Sequence, residues 1–230
     1  MNSMLKAAAL AALLAGPGAS AADLYRHEGL GIGGYKDDVE FSWWNAGDIF
    51  VRLRGEAVIP QVSSTSNTGN PLSVSKTGIP ELDISYFLTK NIAIEAICCV
   101  SKHEIDAAGV GKVGETWMFP PTLLLQYHFD LGRLKPYVGA GANYTVFFDK
   151  TPAAGFSNLK LGDAWGEAVQ AGLDYQVSGN WFANLDFKKL WLRTSYSVND
   201  GAAHGHVDLD PIIAGAGIGY RFGGGLDPLK

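Results

Sequence analysis

The sequence predicts an all-β chain, an eight-stranded antiparallel transmembrane β-barrel. Three observations predict it. Eight segments alternate apolar and polar residues with period two. The connections between them alternate short and long, the rhythm of periplasmic turns and outside loops. The chain also opens on an export signal, after which no apolar run approaches the ~18 residues that a membrane-spanning helix needs. Composition agrees. The 230 residues are 47% hydrophobic and 11% aromatic, with 29 glycines, which excludes a disordered polymer. The net charge of -5 argues against nucleic acid as a partner.

The elements follow in order. Lys6 precedes an Ala/Leu run over 7–16, and Ala19-Ser20-Ala21 closes it, so residues 1–21 read as a secretory signal peptide. Residues 22–47, with glycines and the pair Trp43-Trp44, read as a periplasmic N-terminal arm near the barrel mouth. The outer-membrane β-barrel is expected over 48–222, with strands at 48–59, 79–89, 91–101, 116–129, 135–148, 163–177, 180–194 and 207–222. The connections at 89–91, 130–133 and 178–180 are tight. Those at 61–78, 102–115, 149–162 and 195–206 are long and polar, and a short C-terminal tail occupies 223–230.

Parity assigns the faces. Leu53, Leu82, Ile84, Leu185 and Ile218 share an apolar face that carries aromatics such as Tyr86, Trp181, Tyr220 and Phe222 near strand ends. The other face mixes charge with glycine, as at Gly139, Gly215 and Gly217. Turning Arg52 toward lipid would cost about 2–4 kcal/mol near mid-bilayer, so the charged face is the inner one. A lipocalin-like calyx in the periplasm is the soluble alternative. The expected lumen-lining residues are Arg52, Arg54, Glu56, Asp83, Glu95, Ile97, Asn143, Gln170, Asp186 and Lys188. With Arg221 and Asp174, four cations face five carboxylates in a bore that eight strands leave just wide enough for side chains. Such charges must pair, which plugs and stiffens the barrel.

Other chemistry is weak. Cys98 and Cys99 are neighbours in a strand and point to opposite faces, so no bridge is expected. His204-Gly205-His206 lies at a loop end, too little for a metal site. Ser101, His103 and Glu104 share a zone, but no spacing marks a nucleophile. Neither an enzyme nor a cofactor is expected.

Several stretches resemble the OmpW family of small outer-membrane barrels. They are Asn91-Ile92-Ala93-Ile94-Glu95, Pro120-Pro121-Thr122-Leu123-Leu124-Leu125-Gln126-Tyr127, Pro136-Tyr137-Val138-Gly139-Ala140-Gly141-Ala142-Asn143-Tyr144, Gln170-Ala171-Gly172-Leu173-Asp174-Tyr175 and the closing Gly219-Tyr220-Arg221-Phe222. The resemblance covers roughly 47–222. It implies a barrel in the outer membrane of a Gram-negative bacterium, with outer-membrane lipid, small hydrophobic solutes and the barrel-assembly machinery as partners. It also implies downhill passage of hydrophobic solutes through an apolar outer funnel and then sideways through a gap in the wall. Pro120-Pro121, which has no N–H to give a ladder, would mark the lateral exit, and Ile97 aligns with an apolar constriction. The alternative role is a structural or stress-related barrel whose loops bind other macromolecules. This chain departs from the family in continuing past Phe222 and in the length of its 22–47 segment.

Overall fold

The computed structural model describes residues 44–223, so the expected signal peptide, all of the arm before Trp44, and the tail after Gly223 lie outside the described residues. Fourteen strands follow in chain order: β1 (Ile49–Ile59), β2 (Ser63–Ser66), β3 (Leu72–Val74), β4 (Thr77–Phe87), β5 (Ile92–Cys98), β6 (Ser101–Ala107), β7 (Gly111–Phe119), β8 (Thr122–His128), β9 (Leu134–Pro152), β10 (Lys160–Leu161), β11 (Ala164–Ser178), β12 (Trp181–Val198), β13 (Ala203–Asp208) and β14 (Ile212–Phe222). Eight of them close a ring in the order β1-β4-β5-β8-β9-β11-β12-β14, every neighbour antiparallel. The ring shuts where the first and last strands meet, from Ile49 opposite Phe222 to Ile59 opposite Ile212.

Burial follows the period-two pattern. Along β12, Phe182, Asn184, Asp186, Lys188 and Leu190 are buried, while Trp181, Ala183, Leu185 and Phe187 are exposed. The exposed face is the apolar one, the reverse of a calyx that dissolves in water. Two aromatic groups bound it. Tyr127, Phe129, Trp181, Tyr220 and Phe222 cluster at the turn end; Tyr144 with Trp165, and Trp117 with Phe148, stand at the other. From Trp165 to Tyr175 on β11 the chain rises ~33 Å, which a tilt of ~40° reduces to ~25 Å, the height of an outer-membrane apolar band.

The turn end is as the sequence predicts. Gly132 (φ 71°) and Gly179 (φ 52°) take the left-handed backbone that these tight turns require. The opposite end differs. The stretches expected as long loops are largely strands that raise the wall beyond the membrane. Residues 102–115 form most of the β6–β7 hairpin; β2, β3 and β13 add further rungs, and β9 and β12 run on to Pro152 and Val198. These stretches read as polar because their outward residues, such as Lys102, Glu104 and Glu115, meet water. Their inward residues Ser101, His103 and Ile105 on β6 and Val207 on β13 keep period two, while β7 breaks it at a bulge where Val113 and Gly114 are both buried. The segments 116–129 and 207–222 each divide in two. The first divides at Pro120-Pro121, which cannot donate to a ladder. The second divides at Leu209–Pro211, where Asp210 has φ 33°.

Candidate functional site: a plugged bore beneath an apolar chamber

The inward residues of β1 and β12 lie in layers along the barrel axis. At the turn end is an aromatic cap. Trp44 is fully buried, stacked on Phe87 at 4.4 Å and Phe182 at 5.2 Å, with Phe50 tilted against it. These flat apolar faces fill the mouth of the bore.

The next layer is ionic. Arg52 donates to Asp83 (2.7 Å), Glu95 (2.6 Å), Asp174 (3.1 Å) and the Ser85 hydroxyl (2.6 Å). Arg54 bridges Asp83 (2.6 Å), Glu95 (2.8 Å) and Asp186 (2.8 Å). Lys188 Nζ donates to Asp186 (2.5 Å), Glu81 (2.8 Å) and Glu56 (3.0 Å). Neutral donors complete the carboxylates. The Tyr137 hydroxyl and Gln170 Nε2 reach Asp186 Oδ2 at 2.6 and 2.8 Å, and Asn184 Nδ2 reaches Asp174 at 2.7 Å. Glu56, Glu81 and Asp186 lie close enough to share one metal ion, but the Lys188 ammonium stands among them as their cation.

Glycine opposite the charges makes room for them. A Cβ at Gly215 would lie 2.2 Å from Glu56 Oε2, and one at Gly217 would lie 2.1 Å from the Leu53 carbonyl. The parity argument holds at Arg221, which turns inward at the turn-end rim, 6.0 Å above the Trp44 ring and 3.8 Å from Asp48. It misses Glu81 and Lys135, both buried, the second 2.9 Å from Asp130. Each shares the parity of a recognised inward residue, Asp83 and Gly139. Both stand next to prolines at strand starts, where the alternation is hard to anchor.

Above the ions, Ile97 packs with Leu124, Ala168 and Leu190 in an apolar belt. Above the belt opens a chamber of about 210 Å³ in the part of the barrel that stands beyond the lipid band. Its walls include Ile105, Met118, Phe147, Leu161, Leu192 and Val207, drawn from five strands of the raised wall and from β10. No Asp, Glu, Lys or Arg lines it among the described residues. Thus the structure brings Arg52, Arg54, Glu56, Asp83, Glu95, Gln170, Asp186 and Lys188 into one network. Ile97 sits separately in the belt. Asn143 lies beside the prolines, its Nδ2 donating to the Pro120 carbonyl (3.0 Å) and to Thr122 Oγ1 (2.8 Å). Of the apolar residues that the sequence gathers near or above mid-barrel (Phe119, Leu124, Phe147, Phe148, Ile97 and Trp165), Phe147 lines the chamber, Ile97 and Leu124 form the belt, and Phe148 and Trp165 are exposed on the outside.

The wall breaks next to the chamber floor. The β5–β8 ladder ends at Ile97 opposite Thr122, and β6–β7 pairing begins at Ser101 opposite Met118. Between them Cys99, Val100 and Pro120 have no ladder partner among the described residues, and Pro121 is tied on its β9 side, its carbonyl accepting from the Tyr144 N–H (3.0 Å). Both Cys98 and Cys99 are free thiols. Just above the break, His103 Nδ1 lies 3.0 Å from the Ser75 carbonyl and Nε2 lies 3.0 Å from Ser101 Oγ. A carbonyl only accepts, so Nδ1 carries the proton and Nε2 accepts from the serine. Burial holds the imidazole below its usual pKa. Glu104 points outward to Lys112, so no carboxylate stands behind His103.

A closed antiparallel ring with an apolar exterior and a charged interior defines an outer-membrane β-barrel protein. The OmpW family model matches residues 45–222, and the chain belongs to that family. An uncharacterized outer-membrane protein, y4mB, of Sinorhizobium fredii is 44% identical over 75% of this chain and 79% of that relative. The dibenzothiophene metabolism operon protein PahQ of Pseudomonas aeruginosa is 36% identical over 75% of this chain and 80% of its own length. Among solved structures, the outer membrane protein OprG of Pseudomonas aeruginosa superimposes with a TM-score of 0.74 at 30% identity, covering 78% of this chain and 98% of OprG. The outer membrane protein AlkL in lipid bilayers gives 0.64 at 28% identity, covering 83% of this chain and 97% of AlkL. The protein is therefore an outer-membrane barrel of a Gram-negative bacterium.

Proposed function

We propose that the barrel is a passive conduit, not a catalyst: small hydrophobic molecules enter the apolar chamber from outside and leave sideways into the outer membrane past Pro120 and Pro121. The observation that carries this reading is the stacking of an apolar chamber on a bore filled with salt bridges. An oily solute gains roughly 25 cal/mol per Å² of apolar surface it removes from water, and the chamber walls offer that surface. Going further down, it would have to part paired charges in a low-dielectric bore, which is far more costly. The wall break beside Met118 lies next to the chamber, and outside it Cys98 and Val100 face lipid. The name of PahQ supports the solute class, since dibenzothiophene is a fused-ring hydrophobic compound.

Whole-cell uptake of a hydrocarbon tests the route. Met118→Trp fills the chamber beside the break without adding charge, and should cut uptake to the level of cells lacking the protein. Asp186→Asn alters the plug below, and should change ion leakage while sparing uptake. Loss of uptake with Asp186→Asn and normal uptake with Met118→Trp would mean that solutes pass down the bore.

A further inference from the structure

The chamber walls are not uniformly inert, and one hydroxyl on them has no partner in the protein. Tyr196 lies on the inward face of β12 between Thr194 and Val198, lines the chamber and is 6% exposed. Among the described residues its hydroxyl has no hydrogen-bond partner. Three other polar residues on the wall are engaged. The Thr116 hydroxyl donates to the carbonyls of Trp117 (3.1 Å) and Phe148 (3.2 Å), that of Thr194 donates to the Gly162 carbonyl, and both His103 nitrogens are engaged. The Tyr196 hydroxyl is thus left open to whatever occupies the chamber, on a wall that is otherwise mostly apolar.

We propose that Tyr196 is a ligand-anchoring residue, and that the chamber takes small neutral amphiphiles: an apolar body with one hydroxyl or carbonyl that pairs with the tyrosine. This rests on the conduit reading and narrows its substrate class. The head is neutral because the chamber offers no ionic partner, and an ionised head there would lose its hydration without compensation. The size follows from the volume. An apolar cavity of ~150 Å³ accepts benzene, so about 210 Å³ suits one substituted ring or a chain of similar bulk. Hydrocarbons enter but leave the hydroxyl unpaired, whereas a phenol or a short alcohol satisfies it.

The matched probes are 4-fluorophenol and fluorobenzene, followed by fluorine NMR with the full barrel in phospholipid nanodiscs and corrected for partition into protein-free nanodiscs. The wild type should bind 4-fluorophenol about fivefold more tightly than Tyr196→Phe does, the size expected of one hydrogen bond. Fluorobenzene should bind both proteins equally. Equal phenol affinity in the two proteins overturns the assignment of Tyr196 while leaving the conduit standing. If neither probe saturates the wild type, the chamber is not a binding site, and the conduit reading fails with it. Heat-modifiable gel mobility of Tyr196→Phe checks that the barrel is closed.

Discussion

Lys188 ties one side of the plug together, because three carboxylates converge on one ammonium. Removing a partner from a buried ion pair leaves uncompensated charge, which typically costs about 3–5 kcal/mol. Lys188→Met should therefore destabilise the barrel by roughly that amount in urea unfolding from bilayers, and adding Glu56→Gln and Glu81→Gln should restore part of it. His103 makes a second prediction. Its pKa in the fold lies below the usual value near 6.5, so between the two values the unfolded chain binds more protons than the folded one. The stability this residue contributes is present above that window and is lost as pH falls through it. Cleavage of the hairpin by trypsin at Lys102 or Lys112 should rise below about pH 6 in the wild type and stay flat in His103→Gln. Most inward charges were legible in the sequence because each sits opposite an apolar lipid-facing neighbour. Which charges pair was not, since Arg52 reaches partners on β4, β5 and β11 that only ring closure brings together.

At the scale of the strand, parity decides what a position tolerates. On β14, Gly217 faces the bore, and a Cβ there would meet the Leu53 carbonyl and the Arg54 Cα, backbone atoms that cannot turn aside. Its neighbour Ala216 faces lipid. Gly217→Ala should cost about 1–3 kcal/mol by overpacking, while the larger change Ala216→Val should cost well under 1 kcal/mol. On β12, Leu185 is 59% exposed in the middle of the apolar band. Leu185→Arg should cost about 2–4 kcal/mol and Leu185→Phe almost nothing, both read from folding into bilayers. The membrane strands were readable because lipid on one side and charge on the other give strong contrast. The raised wall was not. There water replaces lipid outside and an apolar chamber replaces charge inside, so Lys102-His103-Glu104-Ile105 reads as a polar loop although its alternation is intact.

For the whole molecule, the layers and the orientation are one problem. Eight membrane strands return the chain to the side it started from, so Trp44 and Phe222 lie at the same end of the barrel. The aromatic cap and the tight turns share that end, and the chamber stands at the other. Short turns mark the periplasmic side of such barrels, so the conduit reading expects the chamber outside the cell, where a solute first meets the protein. Polarity agrees that the chamber end stands clear of the lipid. The Lys102–Glu115 and Arg193–Asp208 pairs ring the chamber end, and hydrogen bonds from Lys102 and Lys112 hold the Glu115 carboxyl below its usual range. An outward surface of that kind belongs in water, beyond the lipid band. Single cysteines placed in a Cys98→Ser, Cys99→Ser background test the orientation. Thr68 sits on the rim of the chamber and Ala202 on the connection between β12 and β13, and both should react with an impermeant maleimide added to intact cells. Lys90, in the turn between β4 and β5, should react only after the outer membrane is opened. The reverse labelling pattern would put the aromatic cap outside and the chamber in the periplasm, and a solute arriving from the medium would then meet the closed end of the barrel first.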